Sequence, residues 1–168
     1  MKMSPKKFYA QIYAVIGKHT PIDADCGKLC NCACCAVKDE ITGMYLFPCE
    51  NKMYEKMPAW GKIYDTDFTY GNNKYADLFT CTGSCERKRR PLSCRIFPLT
   101  PYIGRDGKLE IIIDPRGKGI CPIASAIKKE ELSPAFVKSV ERAMKICAAV
   151  RPVREFIYAL SRSIDEML

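Results

Sequence analysis

Five cysteines fall within ten residues, Cys26, Cys30, Cys32, Cys34 and Cys35, and six more follow at Cys49, Cys81, Cys85, Cys94, Cys121 and Cys147. Eleven in 168 residues is far above ordinary usage, so whatever keeps these thiols constrains the fold more than any hydrophobic pattern does. A secreted disulfide framework and an intracellular metal site are the competing explanations. The first calls for an export signal. Residues 1–18 show none: Phe8, Ile12, Val15 and Ile16 recur at helical spacing between tyrosines and Gln11 and form no continuous apolar run. An odd cysteine total also fits a fully paired scaffold poorly. The expectation is therefore a cytoplasmic chain whose thiolates bind metal, with no membrane partner, because no stretch approaches the ~20 apolar residues that span a bilayer.

The organisation around the cysteines predicts one domain over residues 1–168 of α+β class: cysteine-rich loops around a metal site, a few short strands, one N-terminal helix and two C-terminal helices. Ser4 and Pro5 start the first helix, and Gly17 to Pro21 ends it. Residues 23–35 mix turn formers with thiols and read as a loop wrapped around a ligand. Met44 to Phe47 and Lys62 to Tyr70 are strand candidates, and the remainder of 50–80 reads as irregular. Residues 81–98, with Gly83, Pro91 and Pro98, form a second ordered loop. Leu109 to Ile113 is the strongest strand, ended by Asp114-Pro115-Arg116-Gly117, with Asp114 and Arg116 read as an ion pair holding the loop. A short helix is expected from Cys121-Pro122 to about Leu132. The C-terminal helices fill 133–168: Val137, Val140, Met144 and Cys147 or Ala148 share one face, and Val153, Phe156, Ile157, Leu160, Ile164 and Leu168 form a second stripe.

Soft thiolate sulfur suits zinc and iron–sulfur clusters, and four such ligands satisfy a tetrahedral centre. Cys26, Cys30 and Cys34 or Cys35 are close enough on a turning loop to share one centre, with Cys94 or Cys121 closing the shell from a distance. Remote ligands tie separate segments together, so metal binding and folding are expected to be coupled. The single histidine, His19, excludes a His-rich hydrolytic site. A radical S-adenosylmethionine motif is excluded as well, because Ala33 stands where CxxxCxxC needs its third cysteine.

The run Cys26-x3-Cys30-x3-Cys34-Cys35, then Cys81-x3-Cys85, Arg90-Pro91-x2-Cys94-Arg95-Ile96-Phe97-Pro98 and Cys121-Pro122, resembles the YkgJ-type cysteine-cluster family of zinc- or iron-chelating proteins. Flagellin lysine N-methylases carry a similar region. The likeness spans residues 26 to about 123. It implies a ligand set of Cys26, Cys30, Cys34, Cys35, Cys81, Cys85, Cys94 and Cys121, enough for two four-ligand centres or for one centre plus structural thiols. Cys32, Cys49 and Cys147 fall outside the pattern, and the spacing before the CC pair is one residue longer than the commoner form.

Each of the three has a plainer use: Cys147 as a small core residue, Cys49 as a ligand or a bystander, Cys32 as a spare, a substitute for Cys34, or part of a Cys32-x-Cys34-Cys35 redox group. The excess of 27 Lys and Arg over 19 Asp and Glu centres on the N-terminal lysines and Arg87 to Arg90. Because that run lies between proposed ligands, Arg90 and Arg95 are read as cofactor-binding residues that offset thiolate charge and donate to sulfur, in preference to a nucleic-acid patch. Trp60 and the tyrosines Tyr45, Tyr54, Tyr64, Tyr70 and Tyr75 are read as packing residues rather than a base-stacking surface. Three functions follow: an iron–sulfur protein with a redox or electron-transfer role, a structural zinc module that engages a protein partner, or an accessory to a protein methyltransferase. The chain has no glycine-rich cofactor loop of its own.

Overall fold

The computed structural model describes residues 3–24, 26–35, 42–83 and 85–168, without the side chain of Cys35. Helix α1 (Pro5–Ile16) begins where the Ser4 Oγ accepts from the Lys7 N–H and ends at Gly17, whose φ of +59° suits a residue without a Cβ. Its inward face carries Tyr9, Ile12 and Ile16, all buried, with Phe8 and Val15 at the margin. The Tyr9 hydroxyl donates to the Pro48 carbonyl at 2.8 Å, so even the polar tip of this core residue is satisfied.

Residues 23–35 are more structured than a ligand-wrapped loop: they form helix α2 (Cys26–Leu29) and a single 3-10 turn over Ala33–Cys35. Strands β1 (Met44–Tyr45), β2 (Gly61–Tyr70) and β3 (Lys74–Cys81) make an antiparallel sheet in the order β1-β3-β2. β3 occupies part of the stretch that reads as irregular. Its hairpin with β2 turns through Gly71-Asn72-Asn73, where Gly71 and Asn73 both take positive φ, and its register shifts between Asp65 and Thr69. Helix α3 (Leu92–Ile96) and a 3-10 turn over Arg87–Arg89 lie within the second expected loop. Strands β4 (Leu99–Ile103) and β5 (Leu109–Ile113) form a separate two-stranded sheet. Pro101 sits inside β4 opposite Ile111, tolerated because β4 has a strand neighbour on one side only.

After α4 (Pro122–Ala126) and a 3-10 turn over Lys129–Glu131, helices α5 (Pro134–Ala148) and α6 (Arg151–Asp165) complete an α+β fold. α5 packs against α1, β5 and α6, and α6 lies across β2 and β4. Val153, Phe156, Ile157, Leu160 and Ile164 form the buried stripe of α6, whereas Leu168 lies beyond the helix and is 86% exposed. Phe156 is the hub: its ring meets Phe47 at 5.1 Å, Tyr70 at 5.5 Å and Phe68 at 6.1 Å. α6 also clamps the end of β4, with Ile103 N–H donating to Ser161 Oγ at 2.8 Å and Arg162 to the Ile103 carbonyl at 2.7 Å. Among the described residues no helix is long and apolar enough to cross a membrane.

Candidate functional site

A buried carboxylate positions the middle cysteine segment. Glu50 is fully buried and accepts from three donors: the Tyr13 hydroxyl at 2.5 Å, the Phe47 N–H at 2.9 Å and the Leu92 N–H at 2.6 Å. It thereby joins α1, the turn after β1 and the start of α3, the helix that carries Cys94. Burial raises its pKa above the ordinary carboxylate range, and the three hydrogen bonds and the nearby Arg95 only partly offset that. Nothing in the sequence singles out Glu50, because one acid in a patternless stretch gives no periodic signal.

Arg95, itself buried, lies over the Tyr13 ring at 4.0 Å. It donates to the carbonyls of Arg90 at 2.7 Å and Lys88 at 2.5 Å. Its charge therefore fastens the 88–90 turn to the protein body. Arg90 reaches sulfur: its Nε donates to Cys85 Sγ at 3.0 Å. Of the rest of the basic run, Lys88 is exposed, Arg89 donates to the Lys56 carbonyl at 2.8 Å and Arg87 to that of His19 at 2.6 Å.

On this framework, Cys81 at the end of β3 and Cys85 in the following loop lie within electrostatic reach of Cys94 on α3. The Cys94 thiol is pushed far up, first by burial, then by the sulfurs of Cys81 and Cys85 and by Glu50, with Arg90 opposing. Such a group resists ionising on its own, and a cation beside it would reverse the balance. Cys34 lines the same cavity as Cys81 and Cys94. Cys26 and Cys30 stand one helical turn apart on and just after α2, joined by a Cys30 N–H to Cys26 carbonyl bond of 3.1 Å, which puts their side chains on one face. Left-handed Asn31 and Cys32 then reverse the chain toward Cys34.

Cys121 is buried at the start of α4, its N–H bonded to the Gly117 carbonyl at 2.8 Å. The Asp114–Arg116 pair is bidentate, at 2.9 and 2.6 Å, and holds that loop. Cys147 lies in the core with its thiol pushed up to about 12 by burial and, secondly, Glu50; Cys49 is exposed, with φ +66°. Among the described residues no group of three or more His, Cys, Asp or Glu side chains forms a ready metal-holding cluster. The side chain of Cys35, the remaining expected ligand, lies outside the described residues.

The fold and site thus define a cysteine-rich α+β protein with thiols gathered beside one cavity. Compared with protein-family models, curated proteins and solved structures, the chain finds no match in any of the three.

Proposed function

We propose that this protein binds zinc or an iron–sulfur cluster through cysteine thiolates in the reducing environment of the cytoplasm. The observation that carries the reading is that Cys81 and Cys85 lie within electrostatic reach of the half-buried Cys94, with Arg90 donating to the Cys85 sulfur. The motif resemblance to the YkgJ-type family supports the same assignment. Cys81, Cys85 and Cys94 would hold the metal together with thiolates drawn from Cys26, Cys30, Cys34, Cys35 and Cys121. When bound, a cluster supplies one-electron redox chemistry, and zinc supplies a structural crosslink that can present a surface to a protein partner.

The chain's own contributions are definable. Arg90 offsets thiolate charge and orients the Cys85 sulfur, Arg95 fixes the turn from which Arg90 extends, and Glu50 fixes the start of the helix that carries Cys94. The test is metal content in variants purified without oxygen. Cys81→Ala, Cys85→Ala and Cys94→Ala should each lose most bound metal, while Cys147→Ala keeps it. Equal metal content in all four would contradict the proposal.

A further inference from the structure

The two sheets do not close on each other. Between them runs a cavity of about 1040 Å³, at the upper end of the ~300–1,000 Å³ typical of small-molecule sites. Tyr45, Leu78 and Phe79 of the first sheet form one wall, Leu99 of the second forms the other, and Phe156 and Leu160 of α6 form the floor. Most of this lining is apolar. The turn after β5 brings Arg116 into the cavity wall, the single cationic side chain of the lining among the described residues.

Arg116 is held at a fixed orientation. Its Nε and Nη2 donate to the Asp114 carboxylate at 2.9 and 2.6 Å, and its own N–H donates to Asp114 Oδ1 at 3.0 Å. Asp114 is buried, so the guanidinium plane is set by a group that cannot move away. Arg116 Nη1 makes no hydrogen bond to any described residue, and neither does the hydroxyl of Tyr45 in the same lining. Arg116 acts on the Tyr45 phenol, lowering a pKa that burial and Asp67 raise, which puts the two donors within electrostatic reach of each other.

We propose that this cleft binds a small organic carboxylate with an apolar body, its head group received by Arg116 Nη1 and the Tyr45 hydroxyl. A monoanion fits better than a phosphate, because Asp114 already offsets part of the Arg116 charge and no second cation lines the cavity among the described residues. An amine fits worse still, because Arg116 occupies both Asp114 oxygens. Cys34, Cys81 and Cys94 border the same space, so the bound acid lies beside the thiols. The carboxylate end requires no metal.

The test is calorimetric titration of the purified chain with decanoate, decanol and decylamine, with metal content measured on the same sample. Decanoate should bind saturably at one site, and the alcohol and the amine at least about tenfold more weakly, the worth of one charge-assisted hydrogen bond. Arg116→Met should lose the preference for the acid and Arg116→Lys should keep part of it. If Arg116→Met fails to fold, Tyr45→Phe and the carboxyl-carbon NMR shift of labelled decanoate on the unaltered protein carry the test. Absence of decanoate binding, equal binding of decanol, or an Arg116→Met variant with unchanged selectivity would overturn the proposal. Decanoate binding to a metal-free sample would leave this inference standing while the metal assignment fell, and a metal-loaded sample that ignored decanoate would do the reverse.

Discussion

Replacing Glu50 by Ala removes the acceptor for two backbone N–H groups, Phe47 and Leu92, and for the Tyr13 hydroxyl, and leaves Arg95 without the buried carboxylate near it. A buried donor left without a partner costs ~1–3 kcal/mol, and removing one member of a buried charged network costs ~3–5 kcal/mol, partly offset by no longer burying the carboxylate. The expected net loss is ~3–4 kcal/mol. In urea that lowers the unfolding midpoint by roughly 2 M for a chain of this size. Glu50→Gln separates charge from shape. Its amide oxygen can still accept from Tyr13 and Leu92, but its NH2 group then faces the Phe47 N–H, donor against donor, at a cost of ~1–3 kcal/mol. The pH dependence has a definite sign. Because the folded pKa of Glu50 is raised, its contribution is fully present below the ordinary Glu range and is lost as pH rises through the folded pKa. Glu50→Gln lacks that slope, so the advantage of the wild type should narrow as pH rises through this window. An alanine variant within about 0.5 M of the wild-type midpoint, well inside the spread such a loss allows, or a pH-independent gap to glutamine, would refute the reasoning.

Phe156→Ala should cost ~3–5 kcal/mol, because a fully buried ring in contact with three other aromatics leaves a cavity that helix and sheet cannot close; chemical denaturation measures it. Cys147, with its thiol pushed up to about 12 and no exposed surface, should resist iodoacetamide at pH 8 in the native state, while the exposed Cys49 is alkylated; peptide mass analysis reads both. Arg90→Met should reduce metal affinity about 10- to 100-fold, the usual effect of losing a residue that supports a ligand, and Arg90→Lys should recover part of it, as competition with a chelator would report.

Where periodicity and capping agree, the sequence reads directly onto the fold. Ser4, Pro5 and Gly17 bound α1, Ser133-Pro134 opens α5, and the Val153 to Ile164 stripe is the buried face of α6. β3 escaped notice because Asp77 interrupts its apolar pattern, and its clearest signal, Gly71-Asn72-Asn73, belongs to the turn before it. β4 escaped because Pro98 and Pro101 interrupt the strand pattern, and Pro101 is acceptable because β4 is an edge strand. For the site, cysteine spacing groups the thiols by segment but says little about which sulfurs meet. Tertiary structure sets Cys94 within electrostatic reach of Cys81 and Cys85, and it assigns Arg95 to backbone carbonyls and Arg90 to sulfur although both belong to one motif. Glu50 is invisible in sequence because its importance comes from three donors that other segments deliver.

The central claim is that these thiolates hold a metal, and elemental analysis for iron, zinc and acid-labile sulfide on protein purified without oxygen tests it most directly. The account predicts either iron with matching sulfide or stoichiometric zinc. A folded chain with neither metal would contradict it.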